Sequence, residues 1–111
     1  MTAGTLNSEQ VKATFREGTR GSGEYAVVVV RPTGLPVRRI SVTVGRRFGN
    51  AVRRNRLRRR LREAARELEA ELPMGIDIVC MPRSGALRAP FADIVRSLRA
   101  ALRESGRRPR P

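Results

Sequence analysis

Hydrophobic positions along this chain follow two rhythms, and the switches between them mark the elements. Near the N-terminus Val11 and Phe15 stand four apart between Ser8 and Gly18. That spacing, with Ser8 as cap and Glu9 behind it, predicts a short helix over Ser8–Glu17 stopped at Gly18. The glycine-rich stretch Gly18–Gly23 reads as a loop. Tyr25–Arg31 is a β-branched run, the length of one interior strand, closed by Pro32, Gly34 and Pro36. Arg39–Gly45 alternates, with Ile40, Val42 and Val44 on one side and Ser41 and Thr43 on the other, which predicts a strand with one apolar face. Over residues 50–72 the period lengthens: Leu57, Leu61, Ala64, Leu68 and Leu72 describe one face of a helix that must end before Pro73. Ile76–Met81 reads as a third strand with the Cys80 thiol buried, and Pro90 opens a last helix striped by Phe91, Ile94, Val95, Leu98 and Leu102 and ending near Gly106. The order helix, strand, strand, helix, strand, helix predicts an α+β sandwich, a small mixed sheet with helices packed on it.

Length and composition narrow the possibilities. At 111 residues the chain makes one domain, expected over residues 1–106, with Arg107–Pro111 a short, basic, disordered tail. The longest apolar run, Tyr25–Val30, is too short to cross a bilayer, and the opening MTAGTLNSEQ has neither the charged nor the apolar region of a signal peptide. A cytoplasmic protein with no membrane partner is expected. With no histidine and the single cysteine Cys80, ordinary zinc sites and histidine-based catalysis are excluded, and no catalytic or metal-ligating residue is assigned.

Charge changes the picture most. The formal net charge is +14, and of 24 basic residues only Lys12 is a lysine. Between Arg38 and Arg62 there are 11 arginines in 25 residues and no acid, whereas Glu63–Glu71 holds four glutamates against Arg66. On a wheel at about 100° per residue, Asn55, Arg58 and Arg62 form a polar stripe beside the apolar face with Arg59 outside it, and Arg53, Arg56 and Arg60 cluster on the other flank. A helix built for stability alone carries acids in its first turn and bases in its last. This one is reversed, and repulsion between arginines four apart, such as Arg54 with Arg58 and Arg58 with Arg62, adds about 0.2 to 0.5 kcal/mol per pair. A polyanion relieves both, because phosphates accept charge-assisted bidentate hydrogen bonds from guanidinium groups and release counterions on binding. The loop Gly45–Asn50 brings two more cations, Arg46 and Arg47, to the helix N-terminus, where backbone amides also meet phosphates. The glutamates Glu63, Glu67 and Glu71 read as a solvated face rather than a metal site, since no second acidic cluster converges on them.

The segment Arg46–Glu63, RRFGNAVRRNRLRRRLRE, resembles the signature of the bacterial ribonuclease P protein component. The likeness rests on Gly49-Asn50-Ala51-Val52, the Arg54-Asn55-Arg56 triplet and the cations Arg58, Arg59 and Arg62. The order of elements fits from about Leu6 to Leu102. The resemblance implies the accessory protein of a ribonucleoprotein endonuclease, in which a catalytic RNA removes the 5′ leader of precursor tRNA by hydrolysis with magnesium expected on RNA phosphates. It implies RNA contact by Arg46, Arg47, Asn50, Arg54, Asn55, Arg56, Arg58, Arg59 and Arg62. It implies a leader cleft between the sheet and the first helix, for which Val11, Phe15, Tyr25 and Val28 are the candidates, and a left-handed βαβ crossover around the long helix. The chain is poor in the aromatics that usually hold unpaired bases, so leader contact is expected to lean on phosphates. The alternatives are a structural RNA binder, such as a small ribosomal protein, and a basic DNA-binding protein.

Overall fold

Seven elements are laid down in the order α1 (Ser8–Glu17), β1 (Thr19–Ser22), β2 (Ala26–Pro32), β3 (Arg38–Val42), α2 (Ala51–Glu67), β4 (Ile76–Pro82) and α3 (Phe91–Arg107) in a computed structural model that describes residues 5–107. The strands form one sheet in the order β1-β2-β4-β3. The pairs β1·β2 and β2·β4 are antiparallel, while β3 and β4 run parallel and are joined through α2. β2 is interior, as its unbroken apolar run predicts.

Alternation along the strands separates two layers. Ala26, Val28, Ile78 and Cys80 point to one face, where Leu57, Leu61 and Ala64 of α2 and Ile94, Leu98 and Ala101 of α3 complete the main core. Val27 and Val29 point to the other face, under α1, whose Thr14 is fully buried. Burial pushes the Cys80 thiol up to about 12, so it stays protonated and serves as a small core hydrophobe.

Several expectations change. The cap of α1 is Asn7 rather than Ser8: its side chain accepts from the Gln10 N–H, and Gln10 returns a bond to the Asn7 N–H, a reciprocal box. The stretch Gly18–Gly23, read as a loop, contains the edge strand β1, paired from Thr19 opposite Val30 to Ser22 opposite Val27. Its glycines are there because α3 lies directly on it: a Cβ at Gly21 would stand 1.9 Å from the Ala101 carbonyl oxygen and one at Gly23 2.1 Å from that of Ser97. The helix expected over residues 50–72 ends at Glu67 and tightens into a single 3₁₀ turn, Glu69–Glu71. Arg38, buried beneath that turn, donates to the carbonyls of Glu69 and Leu72 and so places a cation at the negative end of the helix. α3 runs through Arg107, one residue into the segment read as a tail; residues 108–111 lie outside the described residues.

Candidate nucleic-acid interface

The interface begins at a turn that only glycine makes comfortably. Gly49 has φ 117°, a region that side chains rarely adopt, and a Cβ there would crowd the Arg53 side chain. Just before it, Arg46–Phe48 forms one 3₁₀ turn, with the Arg47 guanidinium 4.6 Å from the centre of the Phe48 ring, a cation–π contact that holds the loop in shape. Just after it, the Asn50 side chain caps α2 by accepting from the Arg53 N–H at 3.0 Å. Arg46, Arg47 and Asn50 are all exposed around the positive end of the helix.

Packing sorts the arginines of α2. Leu57, Leu61, Ala64, Ala65 and Leu68 are buried, which fixes the rotation of the helix on the sheet. Arg54, Arg58 and Arg62 then rise at successive turns along the flank toward β3, half-buried at Arg54 and Arg58 and open at Arg62. Asn55 accepts from Arg58, which holds that guanidinium extended over the surface. Arg56 and Arg59 point outward, exposed. Among the described residues, no carboxylate forms an ion pair with any arginine from Arg46 to Arg66; the pairs that do form involve Lys12, Arg16, Arg31, Arg39, Arg96 and Arg99. The acids of α2 therefore leave the cationic surface open. Val52 stands amid this surface 77% exposed, an apolar contact point that the arginines hide in a reading by charge.

Not every arginine of the run belongs to that surface. Arg60 donates to the Ala89 carbonyl and ties α2 to the loop ahead of α3. Arg38 holds the end of α2, as described above. Arg39 lies on the α1 side of the sheet, where its guanidinium makes two bonds to Asp77, at 2.7 and 2.9 Å. Arg31 reaches the same carboxylate at 2.7 Å, and Glu17 stands 3.8 Å from Arg31. Burial raises the Asp77 pKa, but hydrogen bonds and charge from Arg39 and Arg31 outweigh it and hold the carboxyl below its ordinary value. Charge counting missed this division; alternation was the available signal, since Arg31, Arg39 and Asp77 fall on one face at paired positions.

The leader candidates separate as well. Val11, half-buried, and Phe15, 42% exposed, share one flank of α1 beside the sheet. Val28 does not join them: it is fully buried in the core against α2 and α3, because the strand period of two sends it to the opposite face. Val27 and Val29 hold the α1 side instead. Tyr25 stands ahead of β2, packs against the same helix-side core and has its ring beside Gly85, so it too lies away from α1. No helix among the described residues is long and apolar enough to cross a membrane.

The chain is similar to known proteins in sequence and in fold. The ribonuclease P protein component of Kocuria rhizophila is 39% identical over 102 residues, covering 91% of this chain and 89% of that one. The solved RNase P protein from Thermotoga maritima superposes with a TM-score of 0.78 at 33% identity, over 95% of this chain and 97% of that chain. The Staphylococcus aureus RNase P protein has the same fold, with a TM-score of 0.78 at 21% identity over 93% of this chain and 94% of that one. Residues 6–106 match the family described as Ribonuclease P, and with nearly the whole chain so matched, it belongs to the ribonuclease P protein component family.

Proposed function

We propose that the chain is the protein subunit of ribonuclease P: it binds the catalytic RNA and the 5′ leader of precursor tRNA and assists endonucleolytic removal of the leader. The observation that carries this reading is the arginine surface running from Arg46 to Arg62, a strongly cationic helix face that no carboxylate among the described residues pairs with. Asn50 and Asn55, interleaved with those arginines, add donors and acceptors that fix register on the RNA. The leader lies on the α1 side of the sheet, along the flank that carries Val11 and Phe15. Among the described residues no group of three acidic, histidine or cysteine side chains converges. The reading assigns the magnesium of hydrolysis to RNA phosphates. It also places the protein in the cytoplasm with its RNA. Family membership does not favour a structural RNA binder such as a small ribosomal protein.

The test is cleavage of precursor tRNA by a bacterial ribonuclease P RNA at near-physiological salt, with and without the purified chain. Faster release of the leader and a mature tRNA bearing a 5′-phosphate are expected. Absence of any enhancement, with ribosomal RNA or duplex DNA bound as tightly as the ribonuclease P RNA, would falsify the reading.

A further inference from the structure

Beside the arginine flank of α2, toward the free edge of β3, the surface opens into a cavity of about 260 Å³. Ile40, Val42 and Ala65 line its apolar part, Arg62 and Arg66 flank it, Glu69 adds a carboxylate, and Thr5 of the N-terminal segment borders it. β3 is an edge strand, so nothing of the sheet closes this side. Three features of the site point to one occupant.

First, it joins an apolar slot, large enough to admit a purine, to cations one helical turn apart, at roughly the separation of successive phosphates. That is the pattern that holds an unpaired nucleotide: the base enters the slot and its phosphates stay on the rim. Second, Arg62 and Arg66 have no carboxylate partner among the described residues, although Glu69 belongs to the same cavity. Both the cations and the acid are therefore available to a ligand. Third, a carboxylate close to an RNA phosphate is repulsive unless it meets a donor. Guanine, alone among the common bases, presents two adjacent N–H groups, N1–H and N2–H, on its Watson–Crick edge, and a carboxylate accepts both.

We propose that the cavity between β3 and α2 receives one unpaired guanine of the bound RNA, with Ile40 and Val42 against its face, Glu69 on its Watson–Crick edge and the flanking phosphates on Arg62 and Arg66. The proposal rests on the reading that ribonuclease P RNA lies along α2, and it adds a base-specific contact to a surface otherwise made for phosphates. Glu69 and Val42 are positioned to act on base identity, the arginines on charge.

The experiment is chemical probing of a bacterial ribonuclease P RNA transcript, free and bound to the full chain, with kethoxal, which reacts with N1 and N2 of unpaired guanine. Two variants accompany the natural chain: Glu69→Gln, which replaces one acceptor oxygen by a donor, and Val42→Phe, which fills the slot. Thermal melting checks that each is folded, and Glu69→Gln, which keeps the side-chain volume and leaves the backbone carbonyl bonded to Arg38, keeps the test alive should Val42→Phe not fold. One guanine protected by the natural chain and reactive again with either variant is expected. Affinity should fall about tenfold, the scale of one base contact, with the salt dependence unchanged because no phosphate contact is removed. Guanines that remain protected with both variants would mean that the cavity takes no base, or is filled by something else such as a second copy of this chain, and would overturn the proposal. Binding of the RNA without protection of any guanine would overturn it equally. Failure of the natural chain to bind this RNA at all would strike the underlying reading instead.

Discussion

Arg60 and Arg62 lie two residues apart in the same arginine run, and the structure gives them opposite work. Arg62 is exposed on the β3 flank with no carboxylate partner among the described residues, whereas Arg60 donates to the Ala89 carbonyl between α2 and the loop ahead of α3. Arg62→Ala should therefore remove one phosphate contact and leave folding intact. For a single contact the slope of log K against log salt changes by about 0.7 to 0.9. Between 50 and 200 mM salt, a 0.6-decade change, the advantage of the natural chain over the variant should shrink about threefold. Arg60→Ala should instead lower stability by about 1.5 to 3 kcal/mol, the range for a hydrogen bond made by a charged group, and leave the slope as it was. Equilibrium binding to ribonuclease P RNA across a salt series, with urea melts of both variants, separates the two. A slope that is unchanged by Arg62→Ala, or that falls with Arg60→Ala, would refute the division of the run into open and structural arginines.

Three further outcomes follow from the packing. Leu61→Ala, at a fully buried position where α2 meets the sheet, should lower stability by about 2 to 5 kcal/mol in urea melts without altering the salt slope of RNA binding. Asp77→Asn should cost about 3 to 5 kcal/mol at neutral pH, because Arg39 then loses its carboxylate partner and faces Arg31, which keeps only the more distant Glu17. Since the Asp77 pKa is depressed by folding, its contribution is full above the unfolded value of about 3.9 and is lost as pH falls through the lower folded value. The melting temperature of the natural chain should thus drop below about pH 4 more steeply than that of Asp77→Asn, and parallel acid limbs would remove Asp77 from the account. Gly21→Ala places a methyl group against the Ala101 carbonyl oxygen and should loosen α3 from β1, seen as faster amide exchange in Thr19–Ser22; unchanged exchange would show that the close approach has slack.

Sequence patterning succeeded wherever burial was one-sided and continuous. The apolar positions of α2 and α3 repeat at helical spacing because each helix buries a single stripe, and the unbroken valines of β2 are explained by core on both faces of the sheet. β1 escaped because the feature that makes it possible also disguises it: Gly21 and Gly23 let the backbone of α3 approach, and glycine in a sequence signals a turn before it signals a close contact. The error at Val28 has a different source. A run of identical residues carries no phase, so only the register, with Val28 opposite Cys80 and Val29 opposite Val79, decides which valines face α1. The arginines pose the same difficulty in another form. Their number announces a polyanion, but number does not distinguish Arg62, which stands exposed on the open flank of α2, from Arg38, which closes a helix end, or Arg39, which neutralises a buried aspartate. What makes such a charge tolerable in an unbound chain is this division of labour within the run from Arg38 to Arg62: Arg38, Arg39 and Arg60 are used inside the fold, and the rest lie on one helix and its loop, where a single RNA surface can satisfy them together.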